Sequence, residues 1–269
     1  MGKHHPGRRV AAALLVAAWT VSCATSPLGR SQLKMMPREQ VDQAGEMAFD
    51  QILQQKPLSR DSDVNAYVLC VTRSITAQLS GPAARLNWQV VVFDDLSPNA
   101  FALPSGKIGV NRGMLRVARS QDQLGAVIGH EISHVVAEHA NERMSAEYAA
   151  GSALSLGANA AGAVHPGFGQ AVGVLGTGAQ IGVLLPYARA HEREADLMGL
   201  DLTARAGFDP SQAIVLWENM SEISTARTSD FLSTHPGEKQ RMEDLRARLP
   251  KAMAIYRNAQ ARGRSPHCL

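Results

Sequence analysis

Two features are absent from this 269-residue sequence, and each absence excludes a class of protein. No run of lysine and arginine is interleaved with aromatic residues, which argues against a nucleic-acid-binding surface. No segment recurs along the chain, so tetratricopeptide-type repeats are excluded. The chain contains 45% hydrophobic and 19% charged residues, which is typical of a globular domain rather than a disordered one. The formal net charge of +3 is too small to indicate an acidic partner.

The first 22 residues have the pattern of an export signal. A basic start precedes an apolar stretch at residues 10–19 that is too short to span a bilayer as a mature helix. The small residues before Cys23 resemble a bacterial lipobox, so we expect lipidation of Cys23 and anchoring at the periplasmic side of the outer membrane. The alternative is ordinary cleavage within residues 22–24, which would discard Cys23 and give a soluble periplasmic protein.

The remaining chain is predicted to form one domain. Residues 23–38 are polar and irregular, and we interpret them as the lipidated N-terminus and a tether. Residues 39–262 are predicted to form the domain, and residues 263–269 a C-terminal tail.

Cys70 and Cys268 are the cysteines that remain once Cys23 is lipidated or discarded. In an oxidising compartment they can form a disulfide that ties the C-terminus to an early helix. The alternative is two unpaired thiols, because the sequence does not fix the distance between them.

Hydrophobic periodicity predicts an α+β, mostly helical fold. Three short extended segments predict a small antiparallel sheet, which we expect to pack against the metal-binding helices described below. Ser120 begins a strong helix, with Gln123 completing a capping box. The other predicted helices cover residues 39–55, 64–79, 191–206, 237–249 and 250–261, with one more starting at 209, and the predicted strands cover residues 88–93, 99–103 and 107–110.

Residues 148–188 contain no aspartate, glutamate, lysine or arginine. Small and polar residues dilute this segment, which favours a pair of closely packed helices or a cover over a cleft. A membrane hairpin is the alternative, although each half is barely long enough to cross a bilayer.

The central motif is His130-Glu131-Ile132-Ser133-His134, within the capped helix. Residues four apart lie on one helix face, so both imidazoles can reach one metal ion. Glu131 borders the same pocket and can accept a proton from water at the metal. This combination predicts a zinc site in which Glu131 is the catalytic base.

A third ligand must come from elsewhere in the chain. His139 is five residues beyond His134, roughly half a turn from the metal face of a continuous helix, so it is interpreted as an ordinary polar residue. A third histidine at position 140 is excluded, because alanine occupies it. Glu192 and Asp196 share one face of a later helix, so one can bind zinc while the other accepts the N–H of a ligand histidine. Taken alone, this acidic pair could also be a solvated helix start.

Four ordered motifs between about residues 40 and 250 together resemble one family. They are the segment Asn99-Ala100-Phe101-Ala102-Leu103-Pro104, the HEISH motif, the EREAD motif at residues 192–196, and Ser233-Thr234-His235-Pro236 with Arg241 six residues after the histidine. This arrangement is similar to the minigluzincin metallopeptidases of the HtpX, BepA and LoiP group, with Oma-like and CAAX prenyl proteases as more distant members.

The resemblance implies a minigluzincin fold and a role for each matching residue. Glu192 becomes the third zinc ligand and Asp196 the acceptor for a ligand histidine. His235 and Arg241 would flank the cleft, with His235 binding either the oxyanion or the zinc itself in a resting state. The strand formed by Asn99, Ala100, Phe101, Ala102 and Leu103 would pair with an extended substrate. Ser105 stands where the family usually has glycine, which affects a turn but no ligand.

The resemblance also implies a function. We expect a zinc-dependent endopeptidase of the bacterial cell envelope, a hydrolase that degrades misfolded or misassembled envelope proteins in protein quality control. The alternative is a latent zinc protein that acts mainly as a chaperone in outer-membrane protein assembly.

Overall fold

The structure, a computed structural model, describes residues 23–160, 189–224, 231, 234–235 and 238–268. The predicted export signal and residues 161–188 of the uncharged segment lie outside the described residues. Among the helices within these ranges, none combines the length and the apolarity that crossing a bilayer requires.

The described elements confirm the predicted mostly helical fold with small sheets. Short 3-10 turns at Gly81–Arg85 and Arg112–Arg116 join some of them. In chain order the strands and helices are β1 (Cys23–Thr25), β2 (Ser31–Leu33), α1 (Arg38–Gln55), α2 (Ser62–Thr76), β3 (Gln89–Phe93), β4 (Ala100–Leu103), β5 (Lys107–Asn111), α3 (Gln121–Val136), α4 (His139–Ala160), α5 (Arg189–Ala206), α6 (Gln212–Ser224) and α7 (Glu238–Ala261).

The three-stranded sheet is mixed, whereas an antiparallel sheet was predicted. The strand order is β3-β5-β4; β4 pairs with β5 antiparallel, but β3 pairs with β5 in parallel. A tight turn at Gly106, whose φ is 85°, makes β4 and β5 a hairpin, and β3 then aligns with the far edge of β5. β4 is therefore an edge strand of this sheet.

Helix α3 lies at the centre of the core. The predicted Ser120 cap is confirmed, because Ser120 Oγ accepts a hydrogen bond from the Gln123 amide at 3.2 Å. The reciprocal bond of the predicted capping box differs, since Gln123 Oε1 accepts at 2.8 Å from the amide of Arg119, one residue before the cap. Nearly all of the helix is buried, since it contacts α2, α5, α6 and β4. A helix packed on every side holds the side chains that it carries in fixed positions.

Helices α3 and α5 touch through their backbones. A Cβ atom placed on Gly199 would lie 2.9 Å from the backbone nitrogen of His130, and one on Gly129 would lie 2.5 Å from Thr203 Cγ2. Glu192 lies about two helical turns before Gly199, on the same side of α5. The two glycines therefore bring Glu192 close to the histidines of α3.

The irregular conformation predicted for residues 23–38 is wrong for residues 23–33, whereas their role as a lipidated N-terminus and tether stays a prediction. Strands β1 and β2 form an antiparallel hairpin that packs on α4. Gln32 Nε2 donates a hydrogen bond to the Ala137 carbonyl at 2.7 Å, and the Met35 amide donates one to Ser145 Oγ at 2.8 Å. These contacts join residues more than 100 positions apart, which local sequence composition cannot indicate.

The C-terminal end of the chain is also anchored. Cys70 and Cys268 form a disulfide in the structure, and the Cys268 amide donates a hydrogen bond to Gln121 Oε1 at 2.9 Å. The two helices predicted for residues 237–249 and 250–261 form the single helix α7, which contains Pro250.

Candidate metal centre

The two histidines of the HEISH motif point into one buried site. His130 and His134 lie one turn apart on α3, and their Nε2 atoms are 3.0 Å apart. His130 is 5% exposed and His134 is 2% exposed. The helical spacing thus places two imidazole nitrogens side by side, as predicted.

Two further side chains meet these nitrogens. Glu192 of α5 is fully buried, with Oε2 3.4 Å from His130 Nε2 and Oε1 3.4 Å from His134 Nε2. His235 Nδ1 lies 3.3 Å from His130 Nε2 and 3.0 Å from Glu192 Oε2. Four donor atoms, from His130, His134, Glu192 and His235, all lie within 4.8 Å of one another.

The spacing of these donors fits zinc. Tetrahedral zinc with bonds of about 2.0–2.1 Å places its ligand atoms about 3.3 Å apart. The separations between neighbouring donor atoms range from 3.0 to 3.4 Å, and no pair of the four is more than 4.8 Å apart. Three imidazole nitrogens and a carboxylate are ligands that zinc prefers, and a shared cation explains why their lone pairs face one another in a buried space.

The protonation of the ligands agrees with this assignment. Burial would raise the pKa of Glu192, but the neighbouring His235 and His134 lower it well below its ordinary value, so the carboxylate is charged. Burial lowers the pKa of His134 well below its ordinary value, which leaves a neutral imidazole. Burial would also lower the pKa of His130, but the neighbouring Asp196 and Glu192 carboxylates raise it to about 9. Metal binding at His130 must therefore displace a proton.

Glu131 borders the four-donor site without belonging to it. Its side chain is buried, and Oε1 lies 3.5 Å from His235 Nε2. Burial raises the pKa of Glu131, outweighing the lowering effects of His235 and His130. A carboxylate with a raised pKa is a stronger base than an ordinary glutamate and suits proton transfer near neutral pH.

Asp196 and Arg241 hold the side chains of the metal site in position. Asp196 Oδ1 lies 3.0 Å from His130 Nδ1, the ring nitrogen that faces away from the other donors. Arg241 Nε and Nη2 donate to the two Asp196 oxygens at 2.6 and 2.8 Å, and Arg241 Nη1 donates to the His235 carbonyl at 2.9 Å. The structure therefore brings together the predicted ligand and both predicted supporting residues.

Two residues of this site were missed or misinterpreted from the sequence. Trp217 of α6 lies under the Arg241 guanidinium, 4.3 Å from the ring centroid, and nothing in the sequence distinguished it from other apolar helix residues. His139, interpreted as an ordinary polar residue, is fully buried, with Nδ1 2.9 Å from His134 Nδ1. The interpretation assumed a continuous helix, but α3 ends at Val136 and Glu138 has a φ of 54°, which turns His139 back toward the site.

The predicted substrate-binding segment lies beside the metal helix. Ala100, Phe101, Ala102 and Leu103 form β4, the edge strand that contacts α3, and Asn99 immediately precedes it. The Ala102 backbone lies near the Glu131 carboxylate and lowers its pKa, although burial outweighs this effect. A small depression lies between α1, β4 and α3; it is lined by Arg38, Val41, Asp42, Ala102, Pro104, His134, Val135, Glu138, Ala140 and Asn141.

Two histidines four apart on a buried helix, a carboxylate from a second helix and a glutamate beside the first histidine define a metallopeptidase of the gluzincin type. Residues 62–249, more than half of the chain, match peptidase family M48, and the chain belongs to this family. Family and site together confirm the predicted zinc metallopeptidase class.

Named relatives lie in mitochondria as well as in bacteria. The chain is 38% identical to mitochondrial metalloendopeptidase OMA1 of Schizosaccharomyces pombe over 188 residues, covering 69% of this chain and 53% of the relative. It is 34% identical to the Arabidopsis thaliana protein of that name, covering 79% and 41%. It is 25% identical to the beta-barrel assembly-enhancing protease of Escherichia coli, covering 88% and 51%. The chain thus spans about half the length of the curated relatives that it matches.

Proposed function

We propose that this chain is a zinc-dependent endopeptidase of the bacterial cell envelope that degrades misfolded or misassembled envelope proteins. The observation that carries this proposal is the convergence of His130, His134 and Glu192 at zinc-ligand spacing, with Glu131 on the border of the same site. An edge strand beside the metal helix supports an extended protein substrate, because such a strand can pair with a peptide backbone.

The residues of the site divide the reaction between them. His130, His134 and Glu192 would hold the zinc ion, which when bound would supply Lewis acidity to the scissile carbonyl and to water. Glu131 takes a proton from the attacking water and passes it to the leaving amine. His235, whose Nε2 lies near Glu131, donates a hydrogen bond to the developing oxyanion. Asp196, held by two hydrogen bonds from Arg241, fixes the orientation of the His130 ring.

The position of His235 favours a second candidate, a latent zinc protein with mainly a chaperone role. Catalytic zinc sites keep one coordination position open, whereas structural sites are closed by protein ligands. Here His235 Nδ1 lies 3.0 Å from Glu192 and 3.3 Å from His130, where it completes a set of four donors. Cleavage in this arrangement requires His235 to withdraw from the fourth position.

We propose a lipid-anchored location at the periplasmic side of the outer membrane. The support is the lipobox-like sequence before Cys23 and the similarity to an E. coli protease named for β-barrel assembly. Processing that discards Cys23 would give a soluble periplasmic protein instead. Mass spectrometry of the mature N-terminus decides between a lipidated Cys23 and a chain that begins after it.

The function is tested with Glu131→Gln, which preserves the size of the side chain but removes the base. Purified wild type and variant are incubated with casein or an unfolded outer-membrane protein, with and without a chelator, and zinc is measured in each. We expect both proteins to bind one zinc per chain and only the wild type to cleave. Glu39→Gln, an exposed change on α1, is the matched control and should behave as wild type.

One outcome would count against the assigned catalytic base, and another would favour the second candidate function. Cleavage by Glu131→Gln at the wild-type rate would refute the assigned base. A zinc-loaded wild type that suppresses aggregation of the outer-membrane protein without cutting it would favour the latent zinc protein.

A further inference from the structure

One arginine joins the N-terminal hairpin to the interior of the protein. Arg30 lies between β1 and β2, and its Nη1 and Nη2 atoms donate to the two carboxylate oxygens of Glu142 at 2.6 and 2.7 Å. The same guanidinium donates to Glu194 Oε2 from Nε at 3.2 Å and from Nη2 at 3.0 Å. Arg30 thus binds two carboxylates, one on α4 and one on α5, with the fork geometry that favours arginine.

The Glu194 carboxylate is connected to the metal ligand His134 through one intervening side chain, that of His139. Its Oε2 atom lies 3.2 Å from His139 Nε2, and His139 Nδ1 lies 2.9 Å from His134 Nδ1. Glu194 is 5% exposed, His139 is fully buried and His134 is 2% exposed. Arg30 is therefore connected to His134 by a continuous series of short polar contacts, most of them shielded from water.

The direction of each hydrogen bond in this series follows from the metal site. His134 directs Nε2 toward the other donors, so its proton is on Nδ1 and is donated to His139 Nδ1. His139 must then carry its proton on Nε2, which it donates to the Glu194 carboxylate. Glu194 accepts from Arg30 as well, so each donor in the series has an acceptor. Ligand histidines commonly depend on such a partner for their tautomer and ring orientation.

We propose that Arg30 is a positioning residue of the metal centre, acting through Glu194 and His139 to orient the His134 imidazole. The N-terminal hairpin is then a working part of the zinc site rather than a spacer before the domain. This inference rests on the proposed function, because it requires zinc bound by His134.

A purely structural role for Arg30 makes a different prediction. Contacts that only attach the hairpin would change the stability of the metal-free protein and leave its affinity for zinc unaltered. Loss of an outer partner of a ligand histidine typically weakens metal binding about 10–100-fold. Zinc affinity, measured alongside metal-free stability, therefore separates the two roles.

Arg30→Gln and Lys34→Gln form a matched pair. Both residues follow Cys23 closely and have partly exposed side chains, 29% for Arg30 and 25% for Lys34. Both form an ion pair with the helical domain, but Lys34 binds Glu138 at 3.0 Å and has no contact with Glu194. The two variants therefore compare two residues that both attach the same segment to the domain. Of the two, only Arg30 is connected to His134 through Glu194 and His139.

His139→Asn and His139→Gln test the intermediate step. The amide of asparagine falls near the position of Nδ1, so its oxygen can accept the proton of His134 while the contact with Glu194 is lost. The amide of glutamine falls near Nε2, so the contact with Glu194 is kept while the acceptor for His134 is lost. We expect the glutamine variant to bind zinc more weakly than the asparagine variant.

The experiment measures the zinc Kd of the purified full chain by competition with a chromophoric chelator, with urea unfolding of the metal-free protein in parallel. We expect Arg30→Gln to raise the zinc Kd about tenfold and His139→Gln about 10–100-fold, while Lys34→Gln stays within about twofold of wild type. Equal zinc Kd values for Arg30→Gln and Lys34→Gln would overturn the inference. If the His139 variants do not fold, the comparison of Arg30→Gln with Lys34→Gln decides the inference by itself. A wild type that binds no zinc would instead refute the proposed function.

Discussion

The backbone contact between α3 and α5 predicts that Gly199→Ala weakens zinc binding without touching a ligand. The new methyl group would lie 2.9 Å from the His130 nitrogen, and 3.0 Å from the carbonyl carbon of Gly129 and from the His130 Cα. Ordinary contact distances for a Cβ atom begin at 3.4 Å. Because all three neighbours are backbone atoms of a buried helix, no side chain can rotate to make room.

The magnitude follows from this overlap. Helix α5 must move by about 0.5 Å relative to α3, and overpacking of this kind typically costs about 1–3 kcal/mol. Replacing glycine by alanine within a helix gains about 1 kcal/mol, so the net loss in the free energy of unfolding is about 0–2 kcal/mol. Glu192 moves with α5, and about 0.5 Å exceeds the roughly 0.2 Å tolerance of zinc–ligand distances. We expect the zinc Kd to rise about tenfold.

Gly125→Ala is the matched control for this prediction. Gly125 also lies in α3, but the atoms nearest to its added methyl belong to the Phe208 side chain, at 3.2 to 3.5 Å. A ring can tilt by a few tenths of an ångström where a backbone cannot, so this variant should keep the wild-type zinc Kd. Urea unfolding of the metal-free proteins and chelator competition measure the two quantities. An unchanged zinc Kd in Gly199→Ala would refute the argument that this contact sets the ligand geometry.

Three further predictions follow from other contacts. Removing the disulfide with Cys70→Ser and Cys268→Ser should lower the free energy of unfolding by about 5 kcal/mol, because the bridge closes a loop of 198 residues; urea titration checks this, and an unchanged midpoint would contradict it. Arg241→Met removes the guanidinium that pairs with the buried Asp196 and Glu192 carboxylates, and breaking this buried pairing should cost about 3–5 kcal/mol of stability, measured in the same way; a loss below about 1 kcal/mol would show that the pairing is dispensable. Burial would raise the pKa of Glu142, but Arg30 and His191 lower it below 4.5, so Glu142 stabilises the folded state above that pH and loses this effect as the pH falls further. The stability difference between wild type and Glu142→Gln should therefore shrink below about pH 4.5, and a constant difference would contradict this.

The sequence predicts the metal helix well because its signals are local. A serine cap, helical spacing and two histidines one turn apart are all contained within residues 120–136, and each is found as expected. The family resemblance predicts that Glu192 shares the metal site with this helix, whereas the local sequence pattern does not. Contact between α3 and α5 depends on Gly129 and Gly199, seventy residues apart, and helical periodicity assigns such glycines no partner.

The errors of prediction arise where the chain turns or where contacts are distant. His139 was misplaced because one residue in the left-handed region, Glu138, ends the helical geometry that the spacing argument assumed. The hairpin before α1 has strands of only three residues each, too short to show a strand pattern, so the segment was interpreted as a tether although Arg30 and Gln32 anchor it. The antiparallel pairing predicted for β3 is wrong. The direction in which β3 pairs depends on how the β4–β5 hairpin lies beside it, and the sequence of β3 alone does not indicate this.

The most direct test of the metal centre is anomalous diffraction at the zinc edge from crystals of the purified protein. The account predicts one strong peak per chain, about 2.0–2.2 Å from His130 Nε2, His134 Nε2 and a Glu192 carboxylate oxygen. A crystal of zinc-loaded protein with its peak elsewhere, or with Glu192 turned away from the two histidines, would contradict it.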